Sequence, residues 1–356
     1  LGAKVLKVGD YSIKKALEMV RPVVPAENDQ YFKAYGIKFV TVPDVLHAQR
    51  VIPMVTETVT LTLEKDGKTF TYDFPKIDRS EFSTAYTLTV PNESWTSVRN
   101  QEETPYYLKH LTEKRFYFEY LEDKKVVYVR QSSVFDDENE TLADFYKRLF
   151  DFIDNNSVER LVYDVRLNGG GNNYNNKPLI QGLLARPNIN AQGKFFFIIG
   201  RNTFSACQNL TNEIHNYTEA IIVGEPTAEN VNFYGDNRRV TLPNSGINAY
   251  LSFAWWQDKP QWENADYTIP HVAIDMSFDQ YRNNEDPILD AALTYTNDGF
   301  ILDPMAHLTR LFMDGKIDQL KADAASIVQN PQYRYYDFEE EFSEAGNRLL
   351  GGGDPE

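Results

Sequence analysis

Between residues 125 and 224 short apolar runs alternate with longer amphipathic ones, and this alternation narrows the possible folds more than any other feature. The apolar runs are "KKVVYVRQSSV", "RLVYDVRLNGGG", "KFFFIIG" and "AIIVG". Continuous runs of this length, rich in β-branched and aromatic residues, read as strands buried on both faces. Between them, "TLADFYKRLFDFIDNN" places Leu142, Phe145, Leu149 and Phe152–Ile153 on one helical face. "NKPLIQGLLAR" and "SACQNLTNEIHNY" also read as helices. Strands and helices taking turns imply an α/β fold with a mostly parallel sheet covered by helices.

The flanks differ in character. In residues 1–75, "AKVLKVGDYSI" alternates as a strand and "KKALEMVRPVV" has helical spacing stopped by Pro22 and Pro25. "VTETVTLTLEKDGKTFTYDF" reads as a hairpin turned at Asp66-Gly67. Strand, helix and hairpin in this order resemble part of a PDZ-like domain, or another small α+β module. Residues 76–124 form a polar, aromatic connecting segment that ends in strand-like sequence, residues 125–296 the core, and residues 297–356 a helical extension ("MAHLTRLFMDG", "IDQLKADAASIVQN", "EEEFSEAGNRLL"). The net charge of −16 argues against nucleic acid and anionic membranes as partners. No apolar stretch approaches the roughly 18 residues of a membrane span. The single cysteine, Cys207, excludes an internal disulfide. The opening "LGAKVLKVGDYSI" lacks an initiator Met and starts inside a strand-like pattern, so the chain reads as a fragment or processed product, with part of its site expected outside it.

Two stretches could carry chemistry. "DVRLNGGG" places Gly169, Gly170 and Gly171 at the end of a buried strand, where backbone N–H groups approach a ligand closely. The P-loop Lys-Ser/Thr is absent and the spacing is not the dinucleotide fingerprint. An oxyanion hole or a plain tight turn remain as readings. "RNTFSACQNLTNEI" places Ser205 where a strand gives way to a helix. There its hydroxyl either caps the helix or attacks a carbonyl, with the Ala206 N–H free beside it. Thr203 is an alternative cap. Cys207 is a rival nucleophile, or a small packed residue. A serine nucleophile needs a base. His215 lies on the helix that Ser205 begins, about 15 Å away at 1.5 Å per residue. His47, His110, His271 and His307 read as surface or structural residues, and no His/Cys/Asp/Glu set has metal-ligand spacing.

Together "LVYDVRLNGGGN", "TFSACQNLTNEI" and "AIIVGEPTAEN" resemble, in order and spacing, three segments of the carboxy-terminal processing (tail-specific) serine peptidase family, which includes the tricorn protease core. The likeness spans roughly residues 125–275 and is looser over 1–75, where that family carries a PDZ-like domain. It implies a crotonase/ClpP-like β-β-α spiral core, an N-terminal PDZ-like domain, a polypeptide substrate, no cofactor or metal, and an extracytoplasmic location. Ser205 falls on the nucleophile, and the N–H groups of Ala206 and of Gly169 or Gly170 fall on the oxyanion hole. Asn230 stands where Ser-Lys members carry their lysine, so that dyad is absent. "QWENADYTIPHV" resembles the later segment of tricorn-like members and puts Glu263 on the glutamate that orients a histidine base; that histidine is expected upstream of Leu1.

The alternative is a catalytically inactive member that binds an apolar ligand or a peptide. The aromatic cluster Phe253, Trp255, Trp256 and Trp262 would line the apolar site, or pack in a core or a substrate groove. Residues 1–75 would dock a peptide by strand addition.

Overall fold

A computed structural model of the chain describes residues 1–99, 103–296 and 300–351. The first strand-like stretch is two strands, β1 (Lys4–Val8) and β2 (Tyr11–Ser12). They are separated at Gly9, whose φ of 55° favours glycine. α1 (Ile13–Val20) begins at Ser12, whose Oγ accepts the Lys15 N–H at 3.2 Å, and gives way to a single 3-10 turn at Pro22. The chain then runs through α2 (Asp29–Tyr31) and α3 (Pro43–Ala48) to the hairpin of β3 (Thr58–Lys65) and β4 (Lys68–Pro75). Asp66 and Gly67, with φ of 51° and 72°, form the expected two-residue turn. The four strands form an antiparallel sheet in the order β2-β1-β3-β4, which packs Val8, Leu61 and Leu63 against Ala16, Val20 and Leu46.

A short pair, β5 (Thr84–Ala85) and β6 (Leu88–Thr89), leads to the main sheet. Its strands are β7 (Phe116–Leu121), β8 (Val126–Gln131), β9 (Arg160–Asp164), β10 (Phe195–Ile199), β11 (Ile221–Gly224) and, further on, β14 (Val272–Ala273). Their order is β14-β11-β10-β9-β8-β7, and every pairing is parallel except β7 with β8. α4 (Leu142–Asn155), α5 (Lys177–Leu184) and α6 (Ala206–Tyr217) connect successive parallel strands. Successive side chains of a strand face opposite sides. On β10, Phe195, Phe197 and Ile199 therefore meet α4–α6, while Phe196 and Ile198 meet Ile288, Leu289 and Ala292 on the other face.

β12 (Phe233–Thr241) and β13 (Asn248–Trp256) form a separate two-stranded ribbon. Phe253 and Trp255 of the aromatic cluster stand on its outward face, 63% and 41% exposed. α7 (Phe278–Arg282) and α8 (Pro287–Thr294) return to the sheet. The expected helical extension is α9 (Pro304–Met313), α10 (Ile317–Gln329) and α11 (Phe338–Gly351), with Leu308, Ile327, Tyr333 and Phe338 as its own small core. Among the described residues no helix is long and apolar enough to cross a membrane.

Two ionic features brace the main sheet. Just beyond β9, Arg166 is buried with its guanidinium 2.8 Å from both Asp164 and Asp286, and Asp286 also caps α8 through the Leu289 N–H. Between α6, β11 and β14 lies a cationic cluster. Lys259 Nζ donates to His215 Nδ1 at 2.6 Å and lies 4.0 Å from the centre of the Trp262 ring, while His271 Nδ1 accepts the Ile222 N–H at 3.0 Å. Burial, reinforced by neighbouring cations, pushes His215 down to about 4 and His271 down to about 3, and burial pushes Lys259 down to about 8. A depressed folded-state value means that each neutral imidazole stabilises the fold above 6.5 and that this is lost as the pH falls through the folded value. Urea denaturation between pH 6.5 and 4 is expected to show falling stability, with a shallower fall in the double variant His215→Gln/His271→Gln. Equal slopes would remove the two histidines from the acid response.

Candidate active site

β9, β10 and β11 are parallel neighbours, so the loops that leave their carboxyl ends share one edge of the sheet. Clefts of open α/β sheets form at that edge. All three segments singled out in the sequence lie there: Val165–Gly171 after β9, Gly200–Ser205 after β10 and Glu225–Asn230 after β11.

The three loops are tied to one another. Thr203 is no helix cap. Its hydroxyl accepts the Gly200 N–H at 3.0 Å and donates to the Val165 carbonyl at 3.1 Å. The Phe204 N–H donates to the Asn168 carbonyl, and the Ala228 N–H to the Thr203 carbonyl. Asn176 holds the Ala206 carbonyl at 2.9 Å. Between these anchors Ser205 adopts φ 55° and ψ −128° at the N-terminus of α6. An L-residue enters this region at a cost of about 1–3 kcal/mol and stays only where its surroundings fix it.

The serine does not cap its helix, and among the described residues its Oγ has no hydrogen-bond partner. Nor has the N–H of Ala206, the first residue of α6, or that of Gly169. The Gly170 N–H is taken by Asn168 Oδ1 at 2.9 Å, which leaves Gly169 as the free donor of the two glycines. Gly170 instead supplies space. At φ 100°, a Cβ added there would lie 2.7 Å from Ser205 Cβ, 2.8 Å from the Phe204 carbonyl oxygen and 3.0 Å from the Ala206 nitrogen. A half-buried hydroxyl thus stands at the positive end of a 12-residue helix beside unpartnered N–H groups. Such a site favours an anion that develops on a bound carbonyl.

The other sequence candidates are placed less centrally. Cys207 is fully buried and its thiol pushed far up, so it packs rather than reacts. None of the five histidines hydrogen-bonds to Ser205: His110 pairs with Glu113, His307 with Asp323, His215 and His271 belong to the buried cluster, and His47 is exposed. Glu263 is exposed after the turn Pro260–Trp262 and makes no hydrogen bond among the described residues. The carboxyl that does touch the serine is Glu229, whose Oε2 accepts the Ser205 N–H at 2.9 Å. Glu229 is buried, and burial together with Glu27 pushes it up to about 10. The sequence carried no signal for Glu229 beyond its place in "GEPTAEN", and none for Glu27.

No protein-family model matches the sequence, and no curated protein does. Among solved structures, mature CPAF matches with 12% identity over 85% of this chain and 79% of its own, at a TM-score of 0.47. A Bacteroides fragilis protein assigned as an S41 protease matches at 14% identity over 67% of this chain, at a TM-score of 0.36. The photosystem II D1 C-terminal processing protease matches at 16% over 61%, at 0.34. The chain spans 66% of the length of the Bacteroides fragilis protein and 55% of that of the D1 protease.

The two glycines separate space from donation. Gly170→Ala is expected to lower stability by about 1–3 kcal/mol, because the new methyl collides with the serine loop at a strained φ. Gly169→Ala, with nothing within 4 Å of its added Cβ, should unfold with the wild type. Thermal melts of both variants check this, and equal Tm values for the two would refute the close approach.

Proposed function

We propose that the chain is a serine peptidase of the carboxy-terminal processing type, acting on polypeptides outside the cytoplasm. The observation that carries this reading is the backbone of Ser205. It is held at φ 55° at the start of α6 with a free hydroxyl, next to the unpartnered N–H groups of Ala206 and Gly169. In this reading the Ser205 Oγ attacks a peptide carbonyl, and the two N–H groups hold the tetrahedral oxyanion. The hydroxyl proton passes to a base and from it to the leaving amine. That base is a histidine carried outside these 356 residues and steadied by Glu263, since Asn230 stands in place of the family's lysine. Residues 1–75 are taken as the PDZ-like unit, 125–296 as the crotonase-like peptidase core and 297–356 as its helical extension.

A fluorophosphonate probe reports an activated serine directly. It is expected to label Ser205 in the full-length protein, with labelling and cleavage of an unfolded polypeptide both lost in Ser205→Ala and the Tm unchanged within about 1 kcal/mol of stability. Cleavage that survives Ser205→Ala would overturn the assignment.

A further inference from the structure

The φ of Ser205 persists only because its surroundings fix it, and some of that fixing comes from outside the main sheet and its helices. Asn28, in the N-terminal unit, is 4% exposed and uses both ends of its amide. Its Oδ1 accepts the Tyr31 N–H at 2.9 Å and so caps α2. Its Nδ2 donates to the carbonyl of Thr227, 199 residues on, at 3.3 Å and to that of Asp266, 238 residues on, at 2.6 Å. One amide thus ties the loop after β11 to the stretch that follows Trp262.

Thr227 is joined to the serine by short steps. Its Oγ1 accepts the Thr268 N–H at 2.9 Å and donates to the Glu229 carbonyl at 3.2 Å. Glu229 Oε2 accepts the Ser205 N–H at 2.9 Å. The Ala228 N–H, between them, donates at 3.0 Å to the carbonyl of Thr203, two residues before the serine. On the other side the Tyr31 ring packs on Phe204 with centroids 5.2 Å apart, and Tyr35 lies against Tyr31 at 4.6 Å. The residue before Ser205 and the loop that holds its N–H therefore both rest on residues 28–35.

We propose that Asn28 is a positioning residue for Ser205. By clamping Thr227 and Asp266 it holds the loop after β11 where the serine backbone needs it, and residues 28–35 form an outer brace of the site. The bonds stand whatever the site does; that they serve catalysis rests on the peptidase reading. Asparagine suits the place as its nearest substitutes do not. Aspartate keeps the acceptor for the Tyr31 N–H but has no donor for the two carbonyls, and alanine has neither. The bonds of the loop to Thr203 and Thr268 remain in either variant, so the fold persists while Ser205 loosens.

Amide hydrogen exchange, followed by mass spectrometry in the full-length protein, reads the brace without any catalysis. In Asn28→Asp, peptides that carry the Ser205 and Ala228 N–H groups are expected to exchange about tenfold faster than in the wild type, the weight of one or two lost hydrogen bonds. Peptides from β8 and β9 should keep the wild-type rate. Asn28→Ala, which sets no charge against the two carbonyls, should show the same local change. Unchanged exchange at Ser205 and Ala228 in both variants, or a rise that β8 and β9 share equally, would overturn the brace. Fluorophosphonate kinetics then read its purpose. Both variants should label with a maximal rate lowered about tenfold at an unchanged half-saturating concentration, because the hydroxyl is misplaced while the probe still binds. Weaker probe binding at an unchanged maximal rate would overturn the positioning role. Local loosening in a protein whose wild type takes no fluorophosphonate would support the brace while removing the peptidase reading.

Discussion

The close approach of Gly170 to Ser205 is the contact on which the rest of the site depends. Two loops leave the carboxyl ends of adjacent parallel strands, whose spacing is fixed at about 4.8 Å. The loops must then cross without a side chain between them. Gly170 allows this because it has no Cβ and tolerates φ 100°, and the serine on the other side is thereby forced into its own unusual backbone conformation. The bonds from Phe204 to Asn168 and from Thr203 to Val165 hold the two loops in that register. The half-buried hydroxyl, left without a partner, and the free helix N-terminus follow from the crossing.

Around this crossing the loops are held by Thr203, Asn168 and Asn176 and by the buried carboxyl of Glu229. The carboxyl that accepts the Ser205 N–H, Glu229, is buried, and burial pushes it toward its neutral form. Lys259, with His215 and His271, is turned into the core beside Trp262, and burial holds all three toward neutrality. The N-terminus of α6 adds a backbone dipole at the site, which needs no counter-ion and does not titrate.

The sheet and its helices were legible because their signals are local. "KFFFIIG" and "AIIVG" are too apolar for any position but a strand covered on both faces, and Asp66-Gly67 dictates its own turn. The three loops after β9, β10 and β11 were legible as separate segments. Other features were hidden. "AKVLKVGDYSI" reads as one strand, yet Gly9 divides it. The ribbon of β12 and β13 carries large apolar residues on a face that the fold leaves in solvent. Glu229 looks like a surface glutamate in sequence, and only the fold buries it against the Ser205 N–H and pushes it up.

Alone, then, the sequence determined what is set by neighbours a few residues apart: the periodicity that chooses strand or helix, the turn at Asp66-Gly67, and a serine at a helix start with glycines at a strand end. Tertiary structure decided which of these meet. Pairing of β9 with β10 brought the glycine loop onto the serine, and docking of the N-terminal unit brought Asn28 and Tyr31 onto the loops around it. The physical reason is that backbone preference acts over a few bonds, whereas burial, close approach and long-range hydrogen bonds arise only between groups that folding has carried together from distant parts of the chain.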